Sequence, residues 1–99
     1  MIDGIFALDE NDSVAALKIG LKKGYKVPEE LSIIGFADGI LASRRLSPSL
    51  TTVSQYGVEI GEESARLLIN RLESKEENLP YETVVIKTQL RERESTRSL

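Results

Sequence analysis

An α/β fold, with mainly parallel strands and flanking helices, is the class this sequence predicts, and three observations predict it. Ile2 to Phe36 reads as strand, helix and strand, within the span of about 30 residues that a βαβ unit needs. The second strand, LSIIGF, is apolar on both faces, as a strand covered on both sides of a sheet must be. Polar residues then follow the apolar runs, at the strand ends where open α/β sheets hold small ligands.

Ile2–Leu8 (IDGIFAL) is the first strand, stopped by Asp9, Glu10, Asn11 and Asp12. Asp9 or Asn11 suits a helix N-cap, and the neighbouring acids suit the positive end of the helix dipole. Val14, Leu17 and Leu21 recur at helical spacing, Lys22 and Lys23 fill the last turn, and Gly24 suits the position after the C-cap. The helix is therefore expected at about 10–23. Leu31–Phe36 is the second strand, and the crossover should be right-handed. Ala37–Leu50 is irregular, Thr51–Ser54 a short β-branched strand, and Tyr56–Leu72 a second helix with Ile60, Ala65, Leu68 and Leu72 on one face. Thr83–Leu90 alternates, with Val84, Ile86 and Leu90 on one side, which predicts an edge strand. Arg91–Leu99, charged and then serine-rich, is expected to leave the core.

Composition narrows the chemistry. The chain has 99 residues, 40% of them hydrophobic and 29% charged, as in a soluble globular domain or a piece of one. A net charge of −3 offers no basic face for DNA phosphates. With 0 Cys and 0 His, disulfides, thiolate chemistry, serine triads and histidine metal sites are excluded. No glycine-rich phosphate loop is present, since Gly35 and Gly39 do not form GxGxxG. An enzyme is not expected, and no cofactor or metal is called for. No apolar run approaches a membrane span, and the setting is read as cytoplasmic. Met1 stands directly against strand-like sequence, so the chain is expected to begin in mid-domain.

Four residues are candidates for ligand contact: Asp9, Glu10, Asp38 and Gln55. The acidic run at Asp9 has three readings: a helix cap, a hydrogen-bonding ligand site, or hard-metal or phosphoryl chemistry. A calcium loop would need Gly and Glu where Val14 and Gly20 stand, so that motif fails. Asp38 suits either a ligand hydroxyl or an Asx turn beside Gly39. The Gln55 amide donates and accepts, as a sugar or nucleobase edge requires. Phe36 is read as core. Tyr56 suits ring stacking or a rim, and Arg44 and Arg45 suit a solvated patch or an anionic ligand. The site idea requires that Asp9, Asp38 and Gln55 share one rim because the three strands run the same way and stop side by side.

Several linked motifs carry a resemblance. KKGYKVPEELSIIGFADG, then LSPSLTTVSQYGVEIGEESARLLINRLE, then VVIKTQLRERESTR, resembles the C-terminal part of the LacI/GalR transcriptional regulators, and the agreement runs through nearly the whole chain. The resemblance implies a fragment of a periplasmic-binding-protein-like core of two subdomains, with an effector in the cleft between them and a helix-turn-helix headpiece ahead of it. It assigns residues 1–52 to the second subdomain, 53–90 to the hinge crossing, a helix at about 57–73 on the first subdomain and the last strand, and 91–99 to a tail. By similarity, Asp9 takes the place of the family's effector-contacting Asn or Asp, Glu10 its acidic neighbour, Asp38 the second Asp after GF, and Gln55 the hinge-region Gln. Ala37 stands where the family has its first Asp, and its methyl group cannot hydrogen-bond, so the pocket or its ligand differs there. The implied partners are a sugar or sugar-derived effector, operator DNA through a headpiece absent from these residues, and a second copy of the chain. The alternative reading is a periplasmic sugar-binding protein serving transport or chemoreception.

Overall fold

The computed structural model describes residues 3–36, 39 and 46–97. The element order is β1 (Gly4–Ala7), α1 (Glu10–Lys22), β2 (Ser32–Phe36), β3 (Thr51–Ser54), α2 (Gly57–Glu73) and β4 (Gln89–Arg91). The chain divides into two compact units, one formed by 1–54 with 89–99 and the other by 55–88.

The first unit carries one sheet in the order β1-β2-β3-β4. β1, β2 and β3 run parallel, with Gly4 opposite Ser32 and Ile34 opposite Thr51 at the starts of their ladders. β4 returns antiparallel to β3, pairing Ser54 with Gln89. The mainly parallel sheet expected from LSIIGF is present.

α1 covers one face of β1 and β2. Its buried residues Ser13, Leu17 and Gly20 lie four and three apart, which places them on one stripe of a 3.6-residue helix. Leu17 joins Val27, Leu31, Ile33 and Leu50 in the core, with Ile5, Val14, Ala16 and Leu46 packed around them. Gly35 allows the helix to approach, because a Cβ there would run into the Ser13 side chain. The helix opens on the Asp9 cap and closes on a Schellman turn, in which the Tyr25 N–H donates to the Gly20 carbonyl at 3.1 Å and the Gly24 N–H to the Leu21 carbonyl at 3.0 Å. Gly24 holds φ at +90° with no heavy atom near its missing Cβ, so its requirement is purely conformational. Gly24→Ala should cost about 1 kcal/mol, read as a lowered urea midpoint with unchanged slope.

The tail does not leave the core. Ser95 is 0% exposed and lies between β2 and the lead into β3. Its N–H donates to the Ser49 carbonyl and its own carbonyl accepts from the Ile33 N–H, both at 2.9 Å. Its hydroxyl donates to the Ile33 carbonyl at 2.5 Å and accepts from the Thr51 N–H at 2.8 Å. Arg93 adds guanidinium bonds to the Leu50 carbonyl and the Thr52 hydroxyl, each 2.8 Å. Composition pointed to solvent here, but hydroxyls can satisfy strand-edge backbone groups that no apolar side chain could. Glu94 accepts from the Ser49 N–H and hydroxyl, which holds its carboxyl below the ordinary value. That contact is therefore at full strength above the ordinary carboxylate pKa and is lost as pH falls through the lowered folded value.

In the second unit, α2 has no buried residue. Ile60, Leu68 and Leu72 are 42%, 58% and 75% exposed, so the apolar face read from the sequence is largely uncovered. Arg66 pairs with Glu63 at 2.8 Å on the helix surface. The Arg71 guanidinium lies 4.5 Å from the Tyr81 ring centre and donates to the Leu79 and Pro80 carbonyls. The strand expected over Thr83–Leu90 is present only as Gln89–Arg91, beside β3. Alternation predicts which side of a strand faces inward, but a strand also needs a ladder partner. Among the described residues, 83–88 has none.

Candidate functional site

Parallel pairing brings the carboxyl ends of β1, β2 and β3 to the same edge of the sheet. At that edge β1 gives way to Leu8 and Asp9, and α1 begins. Asp9 is extended (φ −148°, ψ 175°), and its Oδ1 accepts from the Asp12 N–H at 2.7 Å. Its carbonyl accepts from the Ser13 N–H at 3.0 Å and the Ser13 hydroxyl at 2.6 Å. The capping reading of the acidic run is therefore observed, and it engages Oδ1 alone. Asp9 itself is exposed.

Glu10 is the first residue of α1 and is half-buried. Its carboxylate occupies the space where a Cβ on Gly39 would be, so the start of α1 and the segment after β2 meet at this point. Two acidic side chains thus converge on the strand-end edge, Asp9 through the cap and Glu10 against Gly39. The site is made from the positive end of a helix, which favours bound negative charge, and from carboxylates that accept hydrogen bonds. Such an arrangement can orient a polyhydroxylated ligand through its O–H donors. Among the described residues, no three Asp or Glu side chains stand where they could hold a metal ion.

Asp38, Ala37, Arg44 and Arg45 lie outside the described residues. Gln55 follows Ser54, the last residue of β3, and is half-buried in the second unit. Tyr56, next along, is the N-cap of α2 and adopts a left-handed conformation (φ 53°, ψ 56°) that is uncommon for a residue with a side chain. Phe36, expected in the core, is half-buried and stands outside the buried cluster; its ring lies 6.5 Å from that of Phe6, which is 55% exposed. A recess of about 310 Å³ is lined by Ile5, Ala16, Ile19, Gly20, Lys23, Tyr25 and Leu31. It belongs to the carboxyl half of α1, at the other end of that helix from Asp9.

Sequence reasoning missed two contributors. Ser13 is fully buried between α1 and β2. Its signal was a small polar residue on the apolar stripe, four before Leu17, with a glycine, Gly35, in the facing strand. Ser95 had no comparable signal, because its role depends on strands forty or more residues away.

Parallel strands whose carboxyl ends gather at one edge are the open-sheet arrangement in which α/β proteins hold small ligands. The chain matches the family model for the periplasmic binding protein-like domain over residues 2–96, and it belongs to that family. It is 42% identical over 97 residues to the ribose operon repressor of Halalkalibacterium halodurans, covering 97% of this chain and 28% of the repressor. Among solved structures it resembles a LacI family transcriptional regulator from Enterococcus faecium with bound ribose (30% identity, TM-score 0.85, 95% of this chain and 34% of that one). It also resembles a periplasmic binding protein/LacI transcriptional regulator from Alkaliphilus metalliredigens complexed with D-xylulofuranose (30% identity, TM-score 0.86, 97% and 35%). The chain thus spans 28% of the curated repressor it matches. No helix among the described residues is long and apolar enough to cross a membrane.

Proposed function

We propose that this chain is the C-terminal part of the effector-sensing and dimerising core of a LacI-type transcriptional regulator, with a sugar or sugar derivative as effector. The observation that carries this reading is the parallel strand-end edge where Asp9 caps α1 and Glu10 meets Gly39. The sugar-bound relatives of the same fold support the ligand class. Asp9, Glu10, Asp38 and Gln55 are the proposed effector contacts. Asp9 and Glu10 accept hydroxyl protons, and Gln55 donates and accepts from the start of the second unit.

In this reading residues 1–52 belong to the second subdomain together with the strand Gln89–Arg91 and the residues after it, which share its sheet, while the segment between crosses the hinge and its helix packs on the first. Operator contact falls to a helix-turn-helix headpiece outside these residues. The effector favours one closure of the lobes through its differential affinity for the two states, and closure sets the spacing of two headpieces on DNA. The protein is a cytoplasmic binding protein without catalytic activity, and it acts as a homodimer or another self-association of the chain. The uncovered α2 face supports association with further protein surface.

The test is a D-ribose titration of the isotopically labelled chain. Amide shifts should move at Asp9–Asp12 and Phe36 and leave Lys22–Tyr25 unmoved. Asp9→Asn keeps the cap and should melt as the parent does. Asp9→Ala should cost about 1 kcal/mol through the lost cap, and should also abolish the sugar response measured well below its melting temperature. A full ribose response in Asp9→Ala would remove Asp9 from the site, and a regulator carrying this chain whose operator binding no sugar alters would overturn the reading.

A further inference from the structure

We infer that Ser95 is a positioning residue, fixing the register of β2 against β3 and so the level at which those strands present their carboxyl ends. The inference rests on the strand-end reading for its functional meaning, but its test uses no ligand.

The β2–β3 ladder has three residue pairs, Ile34 with Thr51, Gly35 with Thr52 and Phe36 with Val53. Thr51, Thr52 and Val53 are consecutive β-branched residues of nearly the same shape. A slip of one residue exchanges β-branched side chains of like shape along the ladder, so what opposes it there is the turning of each side chain to the other face rather than a change of shape. Leu50, fully buried in the core, resists the slip through burial alone. Ser95 reads position directly. It sits at the point where the ladder begins and touches both strands at once. Its hydroxyl spans from the Ile33 carbonyl to the Thr51 N–H, while its backbone groups hold Ile33 and Ser49. A one-residue shift of β3 moves the Thr51 N–H by about 3.3 Å, beyond reach of that hydroxyl. A slipped β3 therefore forfeits the bridge and leaves buried Ile33 and Thr51 backbone groups without it.

The distinction from a plain stabilising contact is that Ser95→Ala keeps both backbone bonds and removes only the hydroxyl bridge from the Ile33 carbonyl to the Thr51 N–H. In the labelled full chain, interstrand NOEs should report one register. In Ser95→Ala the resonances of Gly35, Phe36, Thr52 and Val53 should split into two sets, while Asp12 and Ser13 at the start of α1 keep single peaks. Ser95→Thr, which restores the hydroxyl, should return one set. Thr96→Ala, which removes the neighbouring 2.7 Å contact to the Thr51 hydroxyl but not the bridge, should also show one set. If Ser95→Ala does not fold, Ser95→Cys decides, because a thiol fills the space but bridges poorly. Two sets in Cys with one in Thr carry the inference. A single native register in Ser95→Ala or Ser95→Cys, with only a lower melting temperature, overturns it. The register claim and the sugar-sensing reading fail separately, because the splitting is read with no sugar present.

Discussion

Ending the chain after Glu92 should abolish cooperative folding of the first unit. The seven deleted residues look dispensable by composition, yet they hold four backbone groups of the sheet: the Ile33 N–H and carbonyl, the Ser49 carbonyl and the Thr51 N–H. Leu50 and Thr52 also lose the Arg93 guanidinium. Each buried group left unsatisfied costs about 1–3 kcal/mol, and a small domain has only about 5–15 kcal/mol of net stability. Water entering to replace these partners would open the β2–β3 junction, which is the same loss by another route. Circular dichroism should show a broad, weak thermal transition in place of a sharp one. A truncated chain that melts sharply within a few degrees of the parent would refute the assigned role of the tail.

Leu17→Ala should be the most damaging single core substitution on α1, costing about 2–5 kcal/mol. Leu17 is 1% exposed and is the α1 residue that enters the cluster of Val27, Leu31, Ile33 and Leu50. Its neighbours on the buried stripe are Ser13 and Gly20, which cannot replace the lost contact. A domain of this size shifts its melting temperature by about 4–8 °C per kcal/mol, so the drop should exceed ten degrees or so. Ile19→Ala, on the exposed side of the same helix, serves as the control and should change little. Equal effects of the two substitutions would contradict the packing described.

Much of the first unit was legible because local signals agreed with one another. Asp9, Gly24 and Pro28 punctuate α1 to within a residue of its observed ends. LSIIGF announces a strand of a parallel sheet, and β2 pairs in parallel on both edges; the expected cover on both faces is not seen among the described residues, since Ser32, Ile34 and Phe36 are only half-buried. The failures share a cause. Thr83–Leu90 has the pattern of a strand, but pattern cannot supply a partner, and only Gln89–Arg91 finds one in β3. The serine-rich tail has the composition of a solvated end, but its hydroxyls close a junction between strands distant in sequence. In the candidate site, the dual nature of Asp9 as cap and proposed contact was foreseeable. The meeting of Glu10 with Gly39 was not, because it depends on how closely α1 approaches the end of β2.

The pairing of Ser54 with Gln89 makes the two points where the chain departs from and rejoins the sheet immediate cross-strand neighbours. Residues 55–88 are thus a segment spliced into the tip of a hairpin rather than a link in a linear series. Excising them and joining the two strands through an Asn-Gly turn, which suits so short a gap, leaves every ladder and the Ser95 junction untouched. The surrounding scaffold is accordingly suited to grafting, since a foreign module with closely spaced termini can be carried in the same place.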